Sequence, residues 1–338
     1  MLKIGIKAPR RKFVILAIIV SAITLVFIFT IIVLINSRGF QEETIRGSLT
    51  NRAMNTPDLD IGGIKYRYRQ DLVNILIMGV DQSENQDRNI SFRSNGQADF
   101  LLLFTVNEKE KSIGMLQIDR DTIAEIKVLS VLGQDGGTRQ AQISLAHGFG
   151  STREHSSELM VQAVEKLLFG VPIDHFISVN MYDIGEIADA LGGIPVTINE
   201  EMEAIDPGFR KGEVVLLKGE QANSFVRQRY GIGDGSNSMR MQRQQIFIQS
   251  LQGKIAQEIN KGQKETEEMH DLLAPYLFTN LSKGYIINLL YQTRNFKVDT
   301  LVTVGGVHQV GETGFMEFYP DQDELQAYVV NGYLNGER

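Results

Sequence analysis

A long apolar segment near the N-terminus constrains this chain more than any other feature of its sequence. Residues 13–35 contain no charged residue, no proline and no glycine. Because a helix rises about 1.5 Å per residue, one over these residues would cross a hydrocarbon core of about 30 Å. A helix packed in a soluble core normally carries a polar stripe, which this segment lacks. We therefore predict one transmembrane helix over residues 13–35.

The charges on either side of this segment predict its orientation. Basic residues stand before it at positions 3, 7, 10, 11 and 12, whereas Arg38, Glu42 and Glu43 follow it. Lysine and arginine are enriched on the cytoplasmic side of a membrane. Residues 1–12 are then a short cytoplasmic tail, and everything after the span is extracellular on a single-pass protein of the cell membrane. A cleaved signal peptide is the alternative, but it would have a shorter apolar stretch and a small-residue cleavage site.

Composition excludes several classes of site and partner. The 338-residue chain has no cysteine, so disulfides, thiolate catalysis and cysteine-based zinc sites are excluded. It also has no tryptophan, which argues against a tryptophan platform for carbohydrate. The formal net charge of -7 argues against nucleic acid as a partner, since nucleic-acid binding needs a basic surface.

The pattern of apolar residues divides the rest of the chain into a linker and one domain. Residues 36–70 are polar without a clear period, which predicts an extracellular linker. Continuous apolar runs at residues 72–80, 100–106 and 112–118 predict strands that are covered on both faces. Further strands are predicted at 175–180, 194–198, 213–217 and 297–304, and helices at 156–169, 181–191, 219–229, 239–260, 265–278 and 282–295. This alternation favours a single α/β domain, residues 71–338, with a sheet between helical layers.

Common catalytic signatures are absent from the sequence. We find no G-x-S-x-G, no Walker A motif and no H-E-x-x-H, and the five histidines have no metal-ligand spacing. Serine-triad hydrolases, nucleotidases and zinc hydrolases are therefore disfavoured.

Polar residues in the first half of the domain cluster at predicted strand ends. Asp81 ends the first strand, Asp99 stands at the entrance to the second, and Arg120 and Asp121 follow the third. In α/β sheets, ligands bind beyond the carboxyl ends of strands. A turn or a helix cap is the alternative role for Asp81 and Asp121.

Arginines in the second half indicate an anion site. Arg227 and Arg229 lie near the end of one predicted helix. Arg240, Arg243 and Gln244 share one face at the start of the next, at positions i, i+3 and i+4. Arginines at a helix N-terminus oppose the macrodipole, but they suit a bound anion there. A solvated basic face or a set of salt bridges remains the alternative.

Eight stretches of the domain carry a resemblance to a known family. They are NILIMGVD (74–81), ADFLLLFTVN (98–107), IDRDT (118–122), ISLAHGFG (143–150), PIDHFISVNM (172–181), ALGGIPV (190–196), LKGEQANSFVRQR (217–229) and RMQRQQ (240–245). In this order they resemble the LytR–CpsA–Psr family of bacterial cell-wall glycopolymer transferases. The resemblance covers most of residues 71–250 and includes the single N-terminal anchor.

The resemblance implies a fold and an activity. The fold is a three-layer α-β-α sandwich with a central mixed sheet, preceded by the transmembrane helix, and it holds a polyprenyl chain in a hydrophobic tunnel. The activity is a Mg²⁺-dependent phosphotransfer in cell-wall biogenesis. It moves a glycopolymer, such as teichoic acid or capsule, from a polyprenyl-pyrophosphate carrier to peptidoglycan at the outer face of the membrane.

The resemblance also assigns roles to residues. It implies pyrophosphate binding by Arg120, Arg227, Arg229, Arg240 and Gln244, to which the shared helix face adds Arg243. Asp81 and Asp99 match carboxylates associated with Mg²⁺. We expect Arg120, Arg227 and Arg229 to act in catalysis. Asp121 joins them, either by orienting Arg120 or by accepting a proton.

Two departures from the family pattern leave alternatives open. Ser83 and Ala124 stand where the family usually has arginine. Arg88 or Arg93, on a longer loop between Asp81 and Asp99, would be the replacements for the missing charge. The alternatives are a pyrophosphatase that releases the sugar phosphate to water and a non-catalytic, membrane-tethered module that binds wall polymers.

Overall fold

The computed structural model describes residues 58–82, 96–130 and 133–337. The strands are β1 Leu59–Ile61, β2 Ile64–Tyr68, β3 Leu72–Asp81, β4 Gln97–Asn107, β5 Ser112–Ile118, β6 Ile123–Leu129, β7 Asp135–Gln142, β8 His175–Asn180, β9 Ile194–Thr197, β10 Val214–Leu217, β11 Leu277–Thr279, β12 Lys297–Val298, β13 Gly306–Val310, β14 Met316–Pro320 and β15 Leu334–Glu337. The α-helices are α1 Arg153–Leu167, α2 Ile184–Ala190, α3 Gly219–Arg227, α4 Asn237–Lys261, α5 Gln263–Leu273, α6 Lys283–Thr293 and α7 Gln322–Tyr333.

The predicted transmembrane segment, residues 13–35, lies outside this described part of the chain. Within the described ranges, none of the helices has both the length and the apolar character needed to cross a membrane.

A mixed six-stranded sheet forms the centre of the domain, which confirms the central sheet that the family resemblance implies. Its strand order is β11-β8-β3-β4-β5-β12. Strand β3 pairs in parallel with β8 and antiparallel with β4, and β4 pairs antiparallel with β5. Strands β3 and β5 therefore run in the same direction, so their carboxyl ends lie at one edge of the sheet together with the start of β4.

Helices cover both faces of this sheet, because its central strands are apolar on both sides. Leu101 and Leu103 of β4 belong to one buried cluster, with side chains of α1 and α7. Phe100 and Leu102 point to the other face and join a second cluster, with side chains of α3 and α4. The continuous apolar runs predict this two-sided burial, which an alternating strand would not show.

The folded domain begins earlier than predicted, which corrects the linker assigned to residues 36–70. Strands β1 and β2 pair with each other, and β2 pairs with β15 from the other end of the chain. Tyr66 and Tyr68 are buried, and the Tyr68 hydroxyl accepts a hydrogen bond of 2.9 Å from Asn74 Nδ2. A five-residue strand among polar residues gives little periodicity, and its partner is remote in sequence.

Two hairpins and α7 are absent from the sequence-based prediction. The first hairpin joins β6 to β7 and the second joins β13 to β14. The second is held against the end of β5, where Phe318 N donates a 2.8 Å hydrogen bond to Asp121 O. The strand predicted at 297–304 is limited to Lys297–Val298, and the helix predicted at 265–278 ends at Leu273.

Candidate active site

The site lies at the sheet edge where β3 and β5 end. Asp81 is the last residue of β3, and Asp99 is the third residue of β4, which starts beside it. Arg120 follows the end of β5. Helix α4 begins over this edge, and its N-cap Ser236 accepts a 3.2 Å hydrogen bond from Met239 N. The turn that this cap starts carries Arg240 toward the sheet.

Arg120, Arg240 and Asp99 form a buried group that we call the inner cluster. Arg240 Nη1 lies 3.1 Å from Asp99 Oδ2, and Arg120 Nη1 donates to the other oxygen, Oδ1. The side chain of Arg240 is only 4% exposed and that of Asp99 13%. Burial lowers the pKa of Arg240, and the charge of Asp99 opposes that shift. A charge buried to this degree is stable only when paired, so each member of the cluster requires the others.

Asp121 supports the inner cluster from behind. Its Oδ1 lies 3.4 Å from Arg120 Nε and accepts a 3.1 Å hydrogen bond from Gln142 Nε2. Its Oδ2 is buried and has no hydrogen-bond partner among the described residues. Burial, followed by the neighbouring charge of Asp119, raises the pKa of Asp121. These contacts place Asp121 where it orients the Arg120 guanidinium.

Arg227 and Asp81 form a second ion pair, the outer pair, which is open to solvent. Arg227 Nη2 lies 3.0 Å from Asp81 Oδ1, and the two side chains are 28% and 41% exposed. The Arg227 guanidinium also lies 3.7 Å from the centre of the Tyr182 ring, within cation–π distance. The ring holds the cation in place while its outer donors stay accessible.

Arg229 is the cation with the fewest contacts in the site. Its partly buried guanidinium makes no hydrogen bond to another residue in the described part of the chain, and the Tyr230 ring centre lies 6.0 Å away. Its charge opposes the rise in the pKa of Asp121 and adds to the fall in the pKa of Arg240 that burial causes. Arg229 therefore adds positive charge beside the inner cluster.

The structure does not bring Arg243 and Gln244 to this site, although the helix spacing predicts them there. Arg243 Nε donates 3.0 Å to Phe225 O, and its Nη2 donates to Gln228 O. Gln244 Nε2 donates 3.2 Å to Val226 O. Both side chains thus bind carbonyls at the end of α3, where a cation also suits the helix dipole. Burial, with the nearby charge of Arg240, lowers the pKa of Arg243 to about 10, so it remains a cation at neutral pH.

Two residues of the site escape sequence-based reasoning. Gln97 Oε1 accepts a 2.7 Å hydrogen bond from Arg120 Nη2, and Gln97 lies beside Asp81 in the sheet. Asn237 bridges Arg240 and Asp119: its Oδ1 accepts from Arg240 Nη2 at 2.5 Å, and its Nδ2 donates to Asp119 Oδ1 at 2.7 Å. The sequence could indicate these two residues only through their neighbours. Gln97 lies two residues before Asp99, and Asn237 directly follows Ser236, the N-cap of α4.

Of the two positions that depart from the family pattern, Ala124 is described by the structure and Ser83 is not. Ala124 lies on β6 and is buried in the first core cluster, so it contributes no charge to the site. Ser83, Arg88 and Arg93 lie outside the described residues, and their predicted roles stay predictions.

Two carboxylates of the site are the residues that would hold a magnesium ion. Among the residues that the structure describes, no group of three or more acidic, histidine or cysteine side chains surrounds a metal position. Mg²⁺ is commonly held by one or two carboxylates together with phosphate oxygens and waters. Asp81 and Asp99 are the carboxylates of the site that could join such a set. Asp81 Oδ2 is not engaged by Arg227, whereas both oxygens of Asp99 contact Arg120 and Arg240.

Sequence comparison matches the chain to one family. The model of the LytR_cpsA_psr family matches residues 38–329. Among curated proteins, the polyisoprenyl-teichoic acid–peptidoglycan teichoic acid transferase TagU of Halalkalibacterium halodurans is 35% identical over 160 residues. That alignment covers 47% of this chain and 46% of TagU, so the chain spans about half the length of the curated relatives it matches.

Solved structures share the fold. The Lin1025 protein from Listeria innocua is 27% identical, with a TM-score of 0.53 over 77% of this chain and 95% of that chain. TagT bound to LI-WTA is 24% identical, with a TM-score of 0.57 over 77% of this chain and 89% of that chain. The second likeness bears on the fold alone.

Proposed function

This chain belongs to the LytR_cpsA_psr family, and we propose that it moves a glycopolymer from a polyprenyl-pyrophosphate carrier to peptidoglycan. The observation that carries the proposal is the pair of arginine groups around Asp81 and Asp99, one buried and one exposed. The name of TagU refers to a polyisoprenyl-linked teichoic acid and to peptidoglycan, which supports teichoic acid as the polymer.

The arrangement of arginines suits a pyrophosphate. Phosphoryl transfer needs little covalent chemistry from the protein and much electrostatic stabilisation of the phosphate oxygens. Arg227 and Arg229 present guanidinium groups with accessible donors, and such groups bind phosphate through two parallel hydrogen bonds. Arg120 and Arg240 fix Asp99 and add positive charge behind them. The group as a whole stabilises charge that develops on the departing polyprenyl phosphate.

Asp81 and Asp99 would hold Mg²⁺ in this proposal. When bound, the ion neutralises charge on the pyrophosphate oxygens. For this to occur, Arg227 would exchange its contact with Asp81 for one with phosphate, which costs little because the outer pair is exposed. Asp99 would in addition share with the ion an oxygen that contacts Arg120 or Arg240 in this structure.

The transfer forms one bond to phosphorus and breaks another. A sugar hydroxyl of peptidoglycan attacks the phosphorus next to the glycopolymer, and a new oxygen–phosphorus bond forms. The bond to the other phosphate breaks, and the polyprenyl phosphate leaves. The acceptor then carries the polymer through a phosphodiester, and the hydroxyl proton passes to a base. Asp121 acts by orienting Arg120, because both contacts of its Oδ1 are with neighbouring side chains.

The predicted membrane anchor agrees with this reaction. A helix over residues 13–35 would place the domain at the outer face of the membrane, where the carrier presents its polymer. No nucleoside triphosphate is available outside the cell, so the pyrophosphate bond of the lipid supplies the free energy.

One observation favours a second candidate function. Ala124 removes a charge from the family pattern, and a weaker grip on the pyrophosphate suits a module that binds wall polymers without cleaving the carrier. Such a module would bind its ligand without Mg²⁺ and would retain its function after Arg227→Ala.

A cleavage assay with the full-length chain separates the candidates. The chain, purified in detergent, is mixed with a short polyprenyl-pyrophosphate sugar and Mg²⁺, with and without a peptidoglycan fragment. Mass spectrometry then follows the polyprenyl phosphate. The proposal predicts release that requires the fragment, is abolished by EDTA and falls about 100- to 1,000-fold in Arg227→Ala. Release without the fragment indicates a pyrophosphatase, and binding without release indicates the non-catalytic module.

A further inference from the structure

An exposed tyrosine lies next to the arginine site. Tyr230 is 84% exposed, the largest fraction among the exposed large hydrophobic side chains in the described part of the chain. It directly follows Arg229, the cation of the site with the fewest contacts. Single apolar side chains are common on protein surfaces and need no function. What distinguishes Tyr230 is its position beside a cation that the proposed function assigns to pyrophosphate.

The turn that carries Tyr230 is fastened to the domain by its other residues. Ile232 is only 1% exposed, so it anchors the turn from below. Ile232 N donates a 3.4 Å hydrogen bond to Arg229 O, and Gly235 N donates a 2.9 Å hydrogen bond to Ile232 O. Gly231 between them has a φ of 78°, a conformation that glycine adopts at no steric cost. The turn therefore buries one side chain and presents the Tyr230 ring to solvent beside Arg229.

Two tyrosine rings accompany the two accessible arginines in different ways. The Arg227 guanidinium lies 3.7 Å from the centre of the partly buried Tyr182 ring and covers one face of it. The Arg229 guanidinium lies 6.0 Å from the centre of the Tyr230 ring, at the limit of cation–π distance. The Tyr182 ring is thus engaged by the protein itself, whereas the Tyr230 ring remains open to a ligand.

A pyrophosphate bound at Arg229 would bring a sugar close to this ring. Guanidinium N–H groups hold a phosphate oxygen at about 2.9 Å. In a glycopolymer on a polyprenyl-pyrophosphate carrier, one oxygen joins the first sugar to its phosphate. The sugar on a phosphate bound at Arg229 is therefore within reach of a ring whose centre lies 6.0 Å from the same guanidinium.

The exposure of Tyr230 favours this sugar over the lipid chain as the ligand of the ring. An isoprenoid is apolar on all sides and gains most where it is removed from water. A pyranose has a C–H face that packs on an aromatic ring and hydroxyls that stay hydrated. Tyrosine offers a rigid apolar face with a polar edge, which suits a contact that remains half in water. The chain has no tryptophan, so a tyrosine or phenylalanine has to supply any such contact.

We propose that Tyr230 determines specificity for the donor: its ring stacks on the first sugar of the glycopolymer while Arg229 binds the attached pyrophosphate. The inference rests on the proposed function and leaves its chemistry at phosphorus unchanged. Tyr230 adds affinity only where the carrier bears a sugar. It therefore distinguishes the loaded carrier from the emptied one, which leaves more readily after transfer.

Binding of two matched lipids tests this role. Isothermal titration of the full-length chain in detergent, with Mg²⁺ and no acceptor, uses a short polyprenyl pyrophosphate and the same lipid bearing one N-acetylglucosamine. We expect the wild type to bind the sugar-bearing lipid more tightly. Tyr230→Ala should weaken binding of that lipid about three- to tenfold, the usual range for an aromatic contact. Its affinity for the bare lipid should change by less than about twofold.

Two further variants serve as controls. Tyr230→Phe keeps the ring and should keep the affinity for the sugar-bearing lipid within about twofold. Tyr319→Ala removes a tyrosine that is 42% exposed on the β13–β14 hairpin, where its hydroxyl donates to Glu317. It should bind both lipids as the wild type does. Thermal unfolding of each variant checks that the fold is intact.

The outcomes separate this inference from the proposed function. Equal losses for the two lipids in Tyr230→Ala would assign the ring to the lipid chain or the pyrophosphate and overturn the inference. Unchanged affinity of Tyr230→Ala for the sugar-bearing lipid, or a loss in Tyr230→Phe as large as in Tyr230→Ala, would overturn it too. In each of these cases the proposed function stands, provided that the wild type binds both lipids. A wild type that binds neither lipid contradicts both.

Discussion

The inner cluster and the outer pair contain the same chemical groups in opposite surroundings. In the inner cluster, Asp99 is buried between two arginines, and Arg240 is 4% exposed. In the outer pair, Asp81 is 41% exposed and shares one oxygen with Arg227. Taking charges out of water costs several kcal/mol per ion, so the inner contacts form only as a complete set. Exposed ion pairs are worth roughly 0–1 kcal/mol, so the outer pair separates readily.

This difference indicates a division of labour. The inner cluster forms during folding and places positive charge at the sheet edge. The Tyr182 ring contacts Arg227 of the outer pair, and under the proposed function this arginine would exchange the Asp81 carboxylate for a phosphate at little cost. Substitutions in the two regions should therefore affect different properties of the protein.

The largest effect on stability is expected from Arg240→Gln. This substitution leaves Asp99 buried with one partner instead of two, and breaking a buried ion pair costs about 3–5 kcal/mol. Urea unfolding should show the free energy of unfolding falling by about 3 kcal/mol. Arg229→Gln is the control, with a change below about 1 kcal/mol because Arg229 makes no such pair. Equal changes in the free energy of unfolding for the two substitutions would contradict a difference between buried and exposed cations.

Arg227→Ala should change activity and leave stability nearly intact. We expect transfer to fall about 100- to 1,000-fold, the cost of removing one group that stabilises developing charge. The free energy of unfolding should change by less than about 1 kcal/mol because the outer pair is exposed. Steady-state kinetics and urea unfolding of one preparation check both values. A destabilised variant with full activity would contradict the assignment.

Asp121→Asn tests burial through pH dependence. Burial raises the pKa of Asp121 above 3.8, so the folded state binds its proton more tightly than the unfolded state does. The stability contributed by the protonated Asp121 carboxyl is fully present below pH 3.8, the ordinary pKa of the group. It is lost as the pH rises through the pKa of the folded state. The amide introduced by the substitution cannot ionise, so the stability of the variant relative to the wild type should increase from pH 4 to pH 7.

The control for this experiment is Asp135→Asn on the exposed β6–β7 hairpin. Hydrogen bonding to Gly137 and then to Lys127 lowers the pKa of Asp135. The stability contributed by the ionised Asp135 carboxylate is present above pH 3.8 and is lost as the pH falls through the folded-state pKa. The stability of Asp135→Asn relative to the wild type should therefore decrease as the pH rises. The same pH dependence in both variants would show that burial of Asp121 is not the cause.

The smallest effect is expected from Tyr182→Leu. A cation–π contact at a partly exposed site is worth about 0.5–1 kcal/mol, so affinity for the donor should weaken about two- to fivefold. Titration with a non-hydrolysable polyprenyl-pyrophosphate analogue measures the change. A larger loss would mean that the ring does more than hold Arg227.

The parts of the site that the sequence predicts are those fixed by backbone direction. Apolar runs locate the ends of β3 and β5, and strand direction then brings Asp81 and Arg120 to one edge. The spacing of residues along a helix does not predict which partner each side chain contacts. Arg240 and Arg243 share a helix face, yet one extends to Asp99 and the other to the end of α3.

Contacts between remote segments also escape the sequence. His308 meets Asp119 across 189 residues, on a hairpin whose strands are short and exposed. The β1–β2 strands are missed for the same reason, because their partner β15 lies at the other end of the chain. Periodicity reports the local environment of a segment and carries no information about which distant segment covers it.

The most direct test of the proposed transfer is the isotopic composition of its products in H₂¹⁸O. The full-length chain is incubated with a polyprenyl-pyrophosphate glycan, Mg²⁺ and a peptidoglycan fragment, and the products are weighed by mass spectrometry. Transfer predicts a fragment that gains the glycan and one phosphate, and that phosphate contains no ¹⁸O. A free glycan phosphate that contains ¹⁸O, or a carrier that stays intact, would contradict the account.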